Sequence, residues 1–270
     1  MARPHVALVR ATPDTVLADY QRLLELAGPL ALPAQELIVA ATPPAEPLAL
    51  PGERAEPWQL EGTLQALRHC RRPVVALHTA DEREPLVAAA HASGGRIERY
   101  GGAQAHVLLA GASQYEQLAR LVLDGHPPLL AVLDATTLCR RAPFAAPQIS
   151  VRNLLVASTD PVAAASVAAR LAGVDPLRSG GPIALAHRSG LGCADLDAVT
   201  IAGEAGWLHS CAPPPAARPP ALVQYAWRLW RRSGRQRTAE QQVYEDWVFH
   251  TGWGRLYRAY QRRAIGREAR

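Results

Sequence analysis

Short β-rich apolar runs separated by helical stripes recur through the first two-thirds of this 270-residue chain. That rhythm constrains the fold more than any other feature. The strand-like runs are Val6–Val9, Leu37–Ala40, Pro73–Leu77, His106–Leu109, Leu129–Leu133 and Asn153–Ala157. Between them, Val16, Tyr20, Leu23, Leu24 and Leu26 recur at helical spacing, and Trp58–His69, Pro85–Ala92 and Tyr115–Leu123 repeat the pattern. Gly94-Gly95 and Gly101-Gly102 bracket one further short extended piece. Strands alternating with helices predict an α/β fold, a mostly parallel sheet with helices on both faces.

Punctuation in the chain supports these boundaries. Gly28-Pro29 closes the first helical stripe, and a proline-rich connection runs from Pro43 to Pro57. Pro213-Pro-Pro215 through Pro219-Pro220 reads as a linker. We therefore expect an α/β domain over residues 1–212 and, from 213 to 270, a proline-rich linker with a C-terminal helical appendage. The appendage carries two helical patterns, Ala221–Arg232 and Thr238–Arg263. Thr238-Ala-Glu-Gln241 is a capping-box pattern, and Gly252 and Gly254 are expected to break or bend the second helix.

Charge divides the chain in the same place. Residues 218–270 hold 12 Arg against 4 acids, a net of +8, while residues 1–217 hold 17 Arg against 20 acids, a net of −3. Every basic residue is arginine. Without lysine, neither a pyridoxal Schiff base nor a phosphate-loop nucleotide hydrolase is available. Cys70, Cys139, Cys193 and Cys211 are too far apart for a compact zinc or iron–sulfur ligand set. The N-terminal apolar run is too short for a signal peptide, and no apolar stretch approaches the roughly 20 residues of a membrane span. These features predict a soluble cytoplasmic protein with free thiols and no metal site, its cofactor, if it has one, left open.

The strongest local signal is Asn153–Pro176: an apolar strand, a polar turn and a helix of small residues stopped by Gly173. Ser158, Thr159 and Asp160 form the turn, and Pro161 suits the first helical position, where a missing N–H costs nothing. Two readings compete. Helix capping accounts for all three residue types. Alternatively they line a cleft at the carboxyl end of a central strand, where ligands of open α/β sheets bind.

Asp134, followed by Thr136 and Thr137, ends another apolar strand and is either a turn residue or a ligand-binding carboxylate. His78 and Asp81, after Pro73–Leu77, form an acid–base candidate or a capping pair. The glycines of Ser179–Pro182 and Ser189–Gly192 match no dinucleotide fingerprint, and no Gly-x-Ser-x-Gly elbow is present.

Taken in order, Ala157-Ser-Thr-Asp-Pro-Val-Ala163, Gly173-Val-Asp-Pro176, Gly190-Leu-Gly192 and Asp195–Glu204 resemble the carboxyl-terminal half of the domain-of-unknown-function 362 (DUF 362) family. The resemblance is firm over Leu129–Glu204 and weaker over Val6–Leu109. It implies an α/β fold and redox-associated work, because relatives are joined to ferredoxin-like cluster modules, which this chain lacks. It also implies departures. Ala41-Thr42-Pro43 stands where the family has Lys-Pro-Asn, and His78–Asp81 stands where it has Gly-Asp. A Pro-Lys-x-Lys-x-His segment corresponds to His106–Ser113, and the second acidic position of the signature helix is Ala165. Asp134 keeps the family's strand-end aspartate.

Two functions follow. One is binding or transformation of a small molecule at the strand carboxyl ends, near Asp134 and Ser158–Asp160. The other is a catalytically inert scaffold or interaction protein. In the tail, Tyr225, Trp227, Trp230, Tyr244, Trp247, Trp253, Tyr257 and Tyr260 lie among arginines. That mixture suits single-stranded nucleic acid or an anionic membrane surface. Packing of the rings onto the chain's own domain, a protein partner or a second copy also accounts for it, and we favour packing.

Overall fold

A computed structural model describes residues 3–28, 37–42, 49–67, 73–78, 81, 84–99, 105–141, 147–177, 180–210 and 235–268. Eight strands form one sheet: β1 (His5–Arg10), β2 (Leu37–Ala41), β3 (Pro73–Leu77), β4 (Arg96–Arg99), β5 (Val107–Gly111), β6 (Leu130–Arg140), β7 (Gln148–Ser158) and β8 (Thr200–Gly203). Their spatial order is β4-β3-β2-β5-β6-β7-β1-β8. All neighbours pair parallel except at β7, which runs antiparallel to both β6 and β1. The expected α/β class and mostly parallel sheet are therefore present.

Apolar residues alternate along each strand and feed two cores. One core lies under α1 (Val16–Leu26), α2 (Pro57–Ala66) and α3 (Pro85–Ala92), with Tyr20, Leu23, Trp58, Leu60 and Val87 buried against Val39, Val75, Leu109 and Val132. The other lies under α4 (Tyr115–Leu123), α5 (Pro161–Leu171) and α6 (Pro182–Arg188), where Ala163, Ala164, Ala168 and Ala169 are wholly buried. Alanine's small side chain lets α5 lie close to the sheet. A short helix, α7 (Trp207–Ser210), follows β8.

Past residue 234 the chain forms α8 (Arg235–His250) and α9 (Gly252–Glu268), broken at Thr251 beside the expected glycines. Thr238 lies inside α8, so it does not cap that helix. The expected helix Ala221–Arg232 and the linker fall outside the described residues. Trp247, Val248, Trp253, Tyr257 and Tyr260 belong to the first core. The appendage thus forms an outer layer on α2 and α3, and Trp247, Trp253, Tyr257 and Tyr260 are buried against the rest of the chain, while Phe249 is exposed.

The path along the sheet positions the site. From β2 the chain moves outward to β3 and β4, then returns to β5 and proceeds the other way to β6 and β7. The direction reverses between β2 and β5, and such a switch point leaves a crevice at the strand carboxyl ends.

Candidate functional site

Beside that switch point lies a pocket of about 270 Å³. Its floor is Thr42, just after β2, and His78, just after β3. The loop before α2 contributes Ala49, Arg54, Ala55 and Pro57, and the start of α3 contributes Glu84, Pro85 and Leu86. Tyr244 of α8 and Tyr257 of α9 complete the lining.

The loop carrying Arg54 is held over the sheet edge by its own backbone. Gly52 adopts φ +84° and passes so close to the Thr137 carbonyl that a side chain would collide with it. Its carbonyl accepts the Ser113 amide at 3.0 Å. Glu53 is gripped by Arg141, whose Nη2 donates to Oε2 at 2.8 Å, while Nη1 donates to Glu240 of α8 at 2.6 Å. Loop, hairpin and appendage are thereby tied together by charge-assisted bonds.

Arg54 and Glu56 are the electrostatic centre. The Arg54 side chain is 19% exposed, and its Nε and Nη2 are buried without hydrogen-bond partners. Its guanidinium carbon lies 4.8 Å from the Tyr257 ring centre. Glu56 stands 3.9 Å away, beyond hydrogen-bond reach, with both carboxylate oxygens buried and unpartnered. Burial pushes its carboxyl up to about 7, against the pull of Arg54, and Asp134 pushes it further the same way. His78 Nδ1 is likewise buried without a partner.

Asp134 lies beneath this pocket, not in it. Tyr20 Oη and Trp58 Nε1 donate to its Oδ2 at 2.9 and 2.7 Å. The Thr136 amide and hydroxyl donate to Oδ1 at 2.9 and 2.5 Å. At 1% exposure, with each oxygen accepting two bonds, Asp134 ties β6 to α1 and α2. Burial raises its carboxyl, and the four bonds pull against that. Gln59, the residue after Trp58, acts similarly, its Nε2 donating to the carbonyls of Ala110 and Val132.

The expected cleft joining Asp134 to Ser158–Asp160 does not form. Because β7 runs antiparallel, its carboxyl end lies at the amino edge of the other strands, with Ser158 opposite Val6 and Ala131. Ser158 Oγ donates to the His5 carbonyl at 2.7 Å and accepts the Asp160 amide. Asp160 Oδ1 accepts the Val162 and Ala163 amides, and Oδ2 accepts the Cys193 amide at 2.9 Å. Gly192 is required by this arrangement, since a Cβ there would collide with Asp160 and Val162. Thr159 is exposed.

Of the sequence candidates, only His78 lines the pocket. Asp81 is exposed, and its carbonyl accepts the Glu84 amide at 2.9 Å in the turn entering α3. Sequence reasoning missed Arg54, Glu56 and Glu84. They sit in connections or at helix starts, where a charged residue is ordinarily a solvated one, and no local pattern marks their burial.

Among the described residues, no group of three or more His, Cys, Asp or Glu could hold a metal ion. No described helix is long and apolar enough to cross a membrane. Cys139 and Cys193 are free thiols, whereas Cys70 and Cys211 lie outside the described residues. In comparisons with known proteins, no family model, no curated protein and no solved structure matches the chain.

Proposed function

We propose that this protein binds a small molecule in the pocket over the carboxyl ends of β2 and β3. The observation carrying the reading is the pocket itself. It adjoins the sheet's topological switch point, and two of its lining residues, Arg54 and His78, have buried side-chain nitrogens without hydrogen-bond partners. Buried polar groups in native proteins are almost always paired, so such groups beside a cavity indicate a missing partner. At about 270 Å³ the pocket suits a compact ligand. Mass spectrometry of the freshly purified native chain tests this. A small-molecule adduct that disappears on denaturation is expected; a bare mass, together with no thermal stabilisation by any small-molecule mixture, counts against it.

The second reading is an inert scaffold that keeps the fold without chemistry. It draws support from Asp134 and Asp160, whose carboxylates are both committed to holding secondary structure together. Redox-associated work, and kinship with the DUF 362 family, remain proposals carried by the sequence resemblance. The segment that carries it, Ala157–Ala163, lies at the sheet edge away from the pocket. For nucleic-acid binding by the tail, Trp247, Trp253, Tyr257 and Tyr260 are at most 4% exposed and so are not free to stack on bases. Tyr225, Trp227 and Trp230 lie outside the described residues.

A further inference from the structure

We propose that the pocket's ligand is a compact organic oxyanion, a carboxylate or a phosphate ester, whose negative group pairs with the Arg54 guanidinium. This rests on the small-molecule reading above and specifies its chemistry. Arg54 lines the pocket, its Nε and Nη2 are buried without hydrogen-bond partners, and Glu56 stands 3.9 Å away. A guanidinium offers donors in a planar fork that matches an oxyanion's two oxygens.

Glu56 offsets Arg54 only in part. Burial raises its carboxyl to about 7, so near neutral pH a share of it is protonated and uncharged. His78, another lining residue, carries a third buried nitrogen without a partner, Nδ1.

The remaining lining sets the rest of the ligand. Tyr257 stacks against Arg54, and Pro57, Pro85 and Leu86 offer apolar contact. Glu84 is the acid among the described lining residues, and it disfavours a second negative group on the ligand. The ligand is therefore an anion at one end only, with a small apolar body.

Titration calorimetry on the full chain with matched probes tests this: benzoate and phenyl phosphate against neutral benzamide and cationic benzylamine. Benzoate or phenyl phosphate should bind about ten-fold or more tightly than benzamide, since a charge-assisted pair is being compared with a neutral one. The tighter of the two identifies the oxyanion. Arg54→Gln should remove the preference while the variant melts cooperatively. Where that variant fails to fold, the wild-type series still decides: added salt should weaken benzoate and leave benzamide unchanged. Benzamide or benzylamine binding as tightly as the anions overturns the oxyanion proposal and leaves the pocket reading standing. Binding of none of the four, with no co-purifying adduct, overturns both.

Discussion

Glu56 and Asp134 are two buried carboxyls on one side of the sheet, and they solve the cost of burial differently. Asp134 gathers four donors and stays committed to structure. Glu56 has none, and its carboxyl is raised from an ordinary 4.5 to about 7, chiefly by burial. The sign of the pH effect follows. The folded state keeps the proton where the unfolded chain has lost it, so this contribution is intact below about pH 4.5. It is lost as pH rises to about 7. The loss is on the order of 3 kcal/mol, taking 1.36 kcal/mol per pKa unit. Glu56→Gln should therefore flatten the fall in stability between pH 4.5 and 7. Urea unfolding at several pH values checks it; an unchanged slope would mean that another group titrates.

At the level of elements, β7 and α5 show how a local signal can be right about structure and silent about place. Asp160 caps α5 through two first-turn amides and also receives the Cys193 amide. Asp160→Ala should destabilise the protein by about 1–2 kcal/mol, the usual worth of such a cap. Asp160→Asn, which keeps a capping oxygen, should cost less. Because the turn sits at the opposite sheet edge, neither change should alter ligand binding in the pocket. Denaturant midpoints and the probe titrations read the two effects separately.

The whole molecule is closed by its appendage. Trp253 stacks on Trp58 with ring centres 5.4 Å apart and donates its indole N–H to Asn153 at 2.8 Å. Trp58 in turn donates to Asp134, so one line of contacts runs from α9 through α2 to β6. Tyr260 donates to Glu61 at 2.6 Å, further along α2. Trp253→Ala should cost about 3–5 kcal/mol, as for other buried large aromatics. A single cooperative unfolding transition at a lower midpoint is expected. A second, separate transition would mean that the appendage folds as its own unit.

Periodicity along the chain determined the elements: Pro73–Leu77, Pro85–Ala92 and Tyr115–Leu123 coincide with β3, α3 and α4, because apolar spacing reports which local geometry buries a continuous face. Residue types at Ser158–Asp160 left capping and a cleft as competing readings, and the packing of α5 decided for Asp160 as the cap. The direction of β7 was within reach: the stretch between Leu133 and Asn153 contains no helical pattern, and a parallel crossover needs a dozen or more residues, usually helical. The pocket was not. Arg54, Glu84, Tyr244 and Tyr257 come from four separate segments, and His78 from a fifth. Only the order of strands and the docking of the last two helices bring them together, because burial and the loss of hydrogen-bond partners arise from what packs around a residue, not from its neighbours in sequence.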